Sequence, residues 1–383
     1  MAKNGTKSIV MVAGEASGDS HGAHLIYEMR KCCGPIFVCG MGGHHMRDAG
    51  AKIVIDAKEV SVVGITEVLS KAPQVLKAMS RIKKLLAGLR PDLLILIDFP
   101  DFNLHLAATA KKLGIPVLYY ISPQIWAWRA GRVKKIRARV DHMAVILPFE
   151  ETFYRQNDVP VSFVGHPLMD SPTGRVPVRA CAPPSPTPKI ALLGGSRDRE
   201  VSTLLPLMLQ AARQLQQQIP TLHLAISCAP SINPELVRNI MASHPVENAE
   251  ISMQPVHELL PTCDLAIVAS GTVTLETAIC GTPMVITYTV SPLSYWLGKA
   301  LIDVAHIGLV NLIAEDRIMP ELIQKEASPD AICKVAFDII SDADRYIAMC
   351  EALLAVRRKL GQPGASGKVA QIARRLMEGP DAL

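Results

Sequence analysis

The sequence predicts an α/β protein with two doubly wound, Rossmann-like domains and a helical C-terminal tail. Short Val/Ile/Leu runs alternate with amphipathic stretches, which is typical of strands and helices around a parallel sheet. The alternation stops at 171–188, where six prolines fall within one short stretch, and it then restarts. From residue 329 onwards only helical patterns remain. The chain therefore divides into two sheets and a tail.

The composition describes an aliphatic-rich globular chain. A chain of 383 residues is longer than one hydrophobic core usually organises. Its composition, 49% hydrophobic and 20% charged, excludes disordered, collagenous and disulfide-stapled proteins. The nine cysteines include no CxxC pair, which indicates the reducing cytoplasm. The net charge of +5 is too small to indicate a nucleic-acid binder. No apolar run reaches the ~18 residues of a membrane-spanning helix.

The first domain is predicted at 1–170. Its strands are expected at 8–13, 35–39, 92–97 and 115–120, and its helices at 20–31 and 102–113. The stretch at 171–188 has no core periodicity, so we expect a linker there.

The second domain is predicted at 189–340. Its strands are expected at 189–193, 222–227, 249–252, 264–269 and 283–287, and its helices at 198–218 and from residue 272. The tail at 341–383 is expected to pack across or return to the first domain. Doubly wound domains bind ligands at the carboxyl ends of their strands, so we expect the two domains to face each other across an active-site cleft.

The motif Gly-Glu-Ala-Ser-Gly-Asp follows the first strand. Gly14 and Gly18 allow close backbone approach, and the helix N-terminus beside Ser17 offers N–H groups to an anion or a sugar oxygen. Glu15 would repel a phosphate unless it faces a sugar hydroxyl or an arginine. The alternative is a tight turn in which Asp19 caps the first helix.

A carboxylate follows the apolar strand that ends at residue 97. Asp98 would point from the carboxyl end of this strand into the ligand crevice, where partial burial raises the pKa of a carboxyl towards that of a general base. It could instead cap the next helix, although Asp101 fits that duty better by position. Glu15 is a second candidate base, and His21 is a third whose place on a helix face is more often structural.

Two segments combine apolar with basic residues. Trp126, Trp128 and Arg129 open a stretch with six cations and no acid by residue 139, which suits either an interfacial anchor for anionic groups or a solvated basic helix. The stretch at 62–90 has apolar residues at helical spacing with a basic excess. It predicts either a lipid-touching surface or a core-packed amphipathic helix. The candidate membrane contacts are Val62, Val63, Val68 and Leu69.

Two further glycine turns follow strands of the second domain. At the first turn a backbone nest, a helix N-terminus and a guanidinium can converge on a diphosphate, and Asp198 could pair with that guanidinium. At the second turn Glu276 falls one helical turn later, where its carboxylate can accept both hydroxyls of a ribose. This pair of turns indicates a nucleotide-sugar site. The candidate residues are Gly194, Gly195, Ser196, Arg197, Ser270, Gly271, Thr272 and Glu276.

No metal site is expected. His44 and His45 follow a glycine-rich turn, but their spacing is not that of helical metal ligands and no third ligand is evident. Asp342 and Asp344 match a DxD metal motif but lie in the helical tail. We interpret this motif as a helix cap.

Several motifs, in order along the chain, resemble the lipid-A-disaccharide synthase family. They are Gly14-Glu15-x-Ser17-Gly18-Asp19, Gly64-Ile65-x-Glu67-Val68-Leu69, Asp98-x-Pro100-Asp101-Phe102-Asn103, Ser122-Pro123-x-x-Trp126-Ala127-Trp128-Arg129, Pro148-Phe149-Glu150, Phe163-x-Gly165-His166, Gly195-Ser196-Arg197, and Ala269-Ser270-Gly271-Thr272 with Glu276.

The resemblance implies an inverting GT-B glycosyltransferase that needs no metal or cofactor. It would join UDP-2,3-diacylglucosamine to 2,3-diacylglucosamine 1-phosphate (lipid X), giving a β-1,6-linked disaccharide 1-phosphate and UDP. The enzyme would be cytoplasmic and peripherally associated with the inner face of the inner membrane of a Gram-negative-type cell. The sequence leaves the oligomeric state open between a monomer and a homodimer.

The resemblance also implies roles for individual residues. Asp98 would be the general base and Arg197 would steady the diphosphate, while the second glycine turn with Glu276 would hold UDP. Asn311 would lie near the nucleotide, although Leu-Val-Asn stands where the family has Leu-Pro-Asn. The acceptor side of the cleft would comprise Gly14, Ser17, Gly18, Trp128 and Arg129.

Two other functions remain open. Another GT-B enzyme that uses UDP-N-acetylglucosamine, such as the peptidoglycan-pathway transferase or a 2-epimerase, would share the donor-side turns. A catalytically silent nucleotide-sugar-binding protein could share the whole fold.

Overall fold

The computed structural model describes residues 6–60, 65–128, 130–289 and 306–379. The chain forms two compact units, one made of Met1–Pro167 with Gln362–Leu383 and the other of Leu168–Gly361. Each unit contains a parallel sheet with alternating helices, which confirms the predicted α/β fold class.

The first unit is built on a seven-stranded parallel sheet with strand order β3-β2-β1-β4-β5-β6-β7. The strands are β1 (Lys7–Ala13), β2 (Ile36–Gly42), β3 (Lys52–Asp56), β4 (Leu93–Ile97), β5 (Val117–Tyr120), β6 (His142–Val145) and β7 (Val161–Phe163). The helices between them are α1 (Ala16–Cys33), α2 (His44–Asp48), α3 (Ile65–Leu89), α4 (Pro100–Lys112), α5 (Ile125–Trp128), α6 (Val133–Arg139) and α7 (Pro148–Arg155).

Strand β4 occupies the middle of this sheet, between β1 and β5. All five of its residues are buried, because helices cover both faces of the sheet. One face packs on α3, α4 and α6, and Ile82 and Leu86 of α3 are fully buried there. The central strand is therefore rigidly held, and its carboxyl end is a fixed platform for the residues that follow.

The second unit is built on a six-stranded parallel sheet with strand order β10-β9-β8-β11-β12-β13. Its strands are β8 (Lys189–Leu193), β9 (His223–Ser227), β10 (Ala249–Ser252), β11 (Leu265–Ala269), β12 (Met284–Tyr288) and β13 (Glu321–Ile323). Its helices are α8 (Asp198–Gln218), α9 (Pro234–Ser243), α10 (Val256–Leu259), α11 (Val273–Cys280), α12 (Leu309–Ala314), α13 (Pro329–Ser341) and α14 (Ala343–Lys359).

The proline-rich stretch at 171–188 belongs to the second unit and is tied to it by hydrogen bonds. Ser185 N donates to Asp264 Oδ1 at 3.1 Å, and Arg179 lies 3.5 Å from the same carboxylate. Arg357 of α14 donates to the carbonyls of Gly174 and Val176 at 3.1 and 2.6 Å. These contacts fix the proline-rich stretch to the second unit.

The predicted tail divides between the two units. Helix α14 stays with the second, because Tyr346 Oη donates to Asp264 O at 2.7 Å and Arg357 Nη1 to Ile279 O at 2.7 Å. Only the last helix, α15 (Ala365–Glu378), joins the first unit, where Val369 and Ala373 pack in the core layer that also holds α1. The cap interpretation of the DxD motif fits, since Asp342 Oδ1 accepts from Arg345 N at 3.0 Å.

Within the described residues, no helix is both long enough and apolar enough to cross a bilayer.

Candidate functional site

Asp98 lies immediately after the central strand β4, at the carboxyl edge of the first sheet. Its φ is 44° and that of Phe99 is 50°, both in the left-handed region. Two consecutive non-glycine residues in this region are unusual, and such strain clusters at functional sites. The backbone turns here before α4 begins at Pro100. This turn leaves the Asp98 side chain at the strand end, as the sequence predicts.

The environment of Asp98 makes its carboxyl a stronger proton acceptor than an ordinary aspartate. Burial and, to a lesser degree, the charge of Glu15 raise the pKa of Asp98 to about 6, and a hydrogen bond from the Phe99 backbone N–H opposes these two effects. Carboxyls tuned in this way suit general-base work near neutral pH.

The first glycine motif packs directly against the Asp98 turn. Gly14 is buried, and a Cβ at this position would lie 2.4 Å from Cγ of Phe99. Glu15 is exposed at the start of α1 and makes no side-chain cap of that helix. Ser17 is exposed and Gly18 is buried in the first turn of α1. The structure therefore brings the two predicted first-domain motifs together at one sheet edge.

The alternative interpretation, in which Asp19 caps its own helix α1, is wrong. Asp19 is buried, and its carboxylate accepts from the N–H groups of Gly43, His45 and Met46 at 2.6, 3.0 and 3.1 Å. It therefore caps α2, and a sequence pattern does not reveal a contact between residues 24 or more positions apart.

The side chains of Asp19, His44 and His45 have possible ligand atoms within 4.8 Å of one another, so the structure supplies the third group that the sequence did not reveal. Both histidines are exposed, and Asp19 already accepts three backbone N–H groups. These hydrogen bonds account for its burial without an ion. We therefore interpret the group as a helix cap.

A buried network that the sequence did not single out as functional lies beside the same edge. Glu150 in the first turn of α7 is 1% exposed, and it accepts from Trp126 Nε1 and from Leu147 N, each at 3.1 Å. Burial raises the pKa of Glu150 to about 7, although these hydrogen bonds oppose the shift. Ser122 and Tyr154 pair through their hydroxyls at 2.7 Å. The network ties the loop after β5 to α7.

Several predicted contacts lie outside what the structure describes. Val62, Val63 and Arg129 fall outside the described residues, and the side chains of Val68, Leu69 and Trp128 do so as well.

The described part of the basic stretch at 129–139 favours a structural role for several of its cations. Arg132 pairs with Asp101 at 2.6 Å, Arg137 lies 3.3 Å from an oxygen of Asp158, and Arg139 donates to a backbone carbonyl of α4. These cations dock α6 onto its neighbours.

The first donor-side turn follows β8 in the second unit. Gly195 has a φ of 124°, and a Cβ there would lie 2.7 Å from the Cβ of Glu200. The Glu200 carboxylate accepts from Ser196 N at 3.1 Å and from Arg197 Nη1 at 2.7 Å. The predicted pairing of Arg197 with Asp198 is therefore wrong, because the i to i+3 spacing at a helix start favours Glu200. Gly194 is buried beneath this turn, whereas Ser196 and Arg197 are exposed.

The second donor-side turn follows the neighbouring strand β11, so both turns lie on one edge of the sheet. Ser270 N donates to Thr287 O at 3.0 Å, and Gly271 O accepts from Thr274 Oγ1 at 2.8 Å. Thr272 is the N-cap residue of α11, and Glu276 lies in the first turn of that helix. Burial raises the pKa of Glu276.

Asn311 has little hydrogen-bonding capacity left for a ligand. It is fully buried, and Nδ2 donates to Met319 O at 2.8 Å and to Glu321 Oε1 at 2.7 Å. Its Oδ1 accepts from Met319 N at 2.9 Å. Asn311 therefore braces the segment that leads into β13, and any effect on a bound nucleotide would be indirect.

Comparison with solved structures supports the fold. A UDP-GlcNAc 2-epimerase from Neisseria meningitidis bound to UDP-GlcNAc superposes with a TM-score of 0.59 at 12% identity, over 97% of this chain and 99% of that chain. CalG4, the calicheamicin glycosyltransferase, superposes with a TM-score of 0.61 at 15% identity, over 99% and 100%. These likenesses confirm the predicted GT-B class of two Rossmann-like domains.

Comparison with sequences identifies the family. The lipid-A-disaccharide synthetase family matches residues 9–375. The chain is 45% identical over 380 residues to the lipid-A-disaccharide synthase of Syntrophus aciditrophicus, covering 98% of this chain and 99% of that relative. It is 40% identical over 375 residues to the same-named protein of Coxiella burnetii, covering 97% and 99%. The chain therefore belongs to the lipid-A-disaccharide synthetase family of glycosyltransferases.

Proposed function

We propose that the chain transfers 2,3-diacylglucosamine from UDP-2,3-diacylglucosamine to the 6-hydroxyl of lipid X. The products are the β-1,6-linked disaccharide 1-phosphate and UDP. Family membership supports the reaction class, and the single observation that carries the mechanism is the half-buried Asp98 carboxylate at the end of β4, with its pKa raised to about 6.

Asp98 acts as the general base in this proposal. As the acceptor oxygen forms its bond to the anomeric carbon, its proton passes to the Asp98 carboxylate and the bond to UDP breaks. One displacement of this kind inverts the anomeric centre. At neutral pH a carboxyl with a pKa of about 6 is mostly ionised yet holds a proton better than an ordinary aspartate.

The donor-side turns serve the departing UDP. Negative charge grows on the diphosphate as the bond breaks, and the exposed Arg197 guanidinium with Ser196 N can stabilise it. The diphosphate would take over donors that Glu200 now occupies. Ser270, Gly271, Thr272 and Glu276 would hold the nucleoside from the neighbouring turn, with no metal or cofactor in the reaction.

Product analysis with defined lipids tests this function. Purified protein with UDP-2,3-diacylglucosamine, lipid X and a chelator should release UDP and form one disaccharide by mass spectrometry. UDP release without lipid X would indicate hydrolysis or epimerase-like chemistry. Turnover of UDP-N-acetylglucosamine would indicate another GT-B enzyme, and UDP binding without release would indicate a silent binding protein.

We also propose that the protein settles peripherally on the anionic cytoplasmic leaflet through 62–69 and the start of α3. The described part of α3 supports this: Leu76 has an exposed fraction of 69%, and Lys77 beside it is exposed. Apolar contact with a basic flank is the pattern of interfacial binding. The buried Ala78, Ile82 and Leu86 show that the deeper part of α3 is core.

Vesicle flotation tests the membrane proposal. The double variant Val68→Asp with Leu69→Asp should lose association with anionic vesicles, because charge is costly to bury among acyl chains. Met253→Asp, which changes an exposed apolar residue of the second unit, is the matched control and should float like the wild type. Equal flotation of all three proteins would refute the proposal.

A further inference from the structure

The backbone carbonyl of Asp98 accepts two short hydrogen bonds from buried side chains. Asn103 Nδ2 donates to it at 2.6 Å and Tyr119 Oη donates to it at 2.7 Å. Asn103 in α4 and Tyr119 in β5 are both fully buried. Two donors from different elements fix both the position of this carbonyl and the plane of its peptide group.

These two hydrogen bonds, which we call the clamp, lie at a strained part of the backbone. Asp98 and Phe99 both have positive φ, a conformation that L-residues with a side chain disfavour. Asn103 Nδ2 also lies 3.2 Å from Ile97 O, and Asn103 N donates to Phe99 O at 3.0 Å. One residue therefore ties together three consecutive positions of the turn.

The carbonyl oxygen of the Asn103 side-chain amide indicates why a polar residue stands at this position. This oxygen, Oδ1, is buried and has no hydrogen-bond partner among the described residues. A buried acceptor without a partner costs stability, so packing alone would favour an apolar residue of the same size. The amide is therefore retained for the hydrogen bonds that its nitrogen donates to the turn.

We propose that Asn103 and Tyr119 are positioning residues that hold Asp98 in its left-handed conformation and aim its carboxylate at the acceptor hydroxyl. This rests on the proposed function, in which Asp98 is the base. If the clamp is removed, the turn relaxes towards ordinary φ values and the carboxylate moves away from the reacting oxygen. Substrate binding elsewhere does not depend on the clamp.

The test compares two tyrosine variants that each remove one buried hydroxyl. Tyr119→Phe should lower kcat about 100-fold, the effect of misplacing a reacting group by about 1 Å, with little change in KM for either substrate. Tyr346→Phe is the matched control, because Tyr346 Oη also donates at 2.7 Å to an aspartate carbonyl, that of Asp264 in the second unit. It should retain the wild-type kcat.

A crystal structure of Tyr119→Phe supplies a readout that does not depend on activity. We expect Asp98 to leave the left-handed region or its carboxylate to be displaced. Asn103→Leu, which keeps the branched shape and removes the hydrogen bonds that Asn103 Nδ2 donates to the Asp98 and Ile97 carbonyls, repeats the test if Tyr119→Phe does not fold. An unmoved Asp98, or a kcat equal to that of Tyr346→Phe, would overturn the proposal. A wild-type protein that forms no disaccharide would instead refute the proposed function.

Discussion

Replacing Glu150 by glutamine removes the carboxyl group of the buried network around Trp126. Burial raises the pKa of Glu150 from 4.5 to about 7, so the folded protein holds this proton more tightly than the unfolded chain does. At 1.36 kcal/mol for each tenfold change in proton affinity, the difference corresponds to about 3 kcal/mol. Linkage sets the sign: this contribution is fully present below pH 4.5 and is lost as the pH rises to about 7.

Urea unfolding of the wild type and of Glu150→Gln between pH 4 and pH 8 measures this effect, with Trp fluorescence as the probe, since two of the three tryptophans, Trp126 and Trp128, belong to the first unit. Glutamine does not titrate, so the wild type minus variant difference in unfolding free energy should fall by about 3 kcal/mol between pH 4.5 and pH 7 and then level off. Taking the difference cancels every other titrating group. A difference that does not change with pH would refute the reasoning.

Three further predictions concern the Asp98 base, the first glycine motif and the first donor-side turn. Below about pH 6 kcat/KM should fall as Asp98 becomes protonated, which a pH–rate profile measures; a flat profile down to pH 5 would contradict the assignment. Gly14→Ala should lower both Tm and kcat because its Cβ would lie 2.4 Å from the Phe99 ring, and unchanged values would show that the turn adapts freely. Glu200→Gln should tighten UDP binding several-fold in calorimetry, since it frees Arg197 and Ser196 N from a competing charge. Weaker binding would instead show that the Glu200 carboxylate is needed to hold the turn in its binding conformation.

Much of the fold was predictable because both sheets are parallel and buried on both faces. Strands such as β4 and β11 are continuous apolar runs of five residues, and their short length and their place between helical patterns identify them as buried parallel strands. The tail was less predictable, because helical periodicity does not tell which sheet a helix covers. The separation of α14 from α15 depends on long-range bonds such as that of Tyr346 to Asp264, 82 positions apart.

The candidate site was predictable where topology decides it and less so where distant side chains do. Asp98 could be found because a carboxylate after a buried parallel strand must lie at the ligand edge. The burial of Glu150 and the capping of α2 by Asp19 depend on partners far along the chain, Trp126 and Gly43. The pairing of Arg197 with Glu200 depends on where α8 begins, which sequence patterns locate only to within a few residues.

The central claim is that Asp98 is the base of an inverting transfer between two lipid-linked sugars. The most direct measurement is the rate of disaccharide formation with both substrates saturating, for the wild type, Asp98→Asn and Asp101→Asn. Asp101 lies three residues further on, in α4, and makes a surface pair with Arg132, so it is the matched control. We predict that Asp98→Asn lowers kcat by about 10²- to 10⁴-fold while Asp101→Asn retains most of the rate. An Asp98→Asn protein that forms the disaccharide at the wild-type rate would contradict the account.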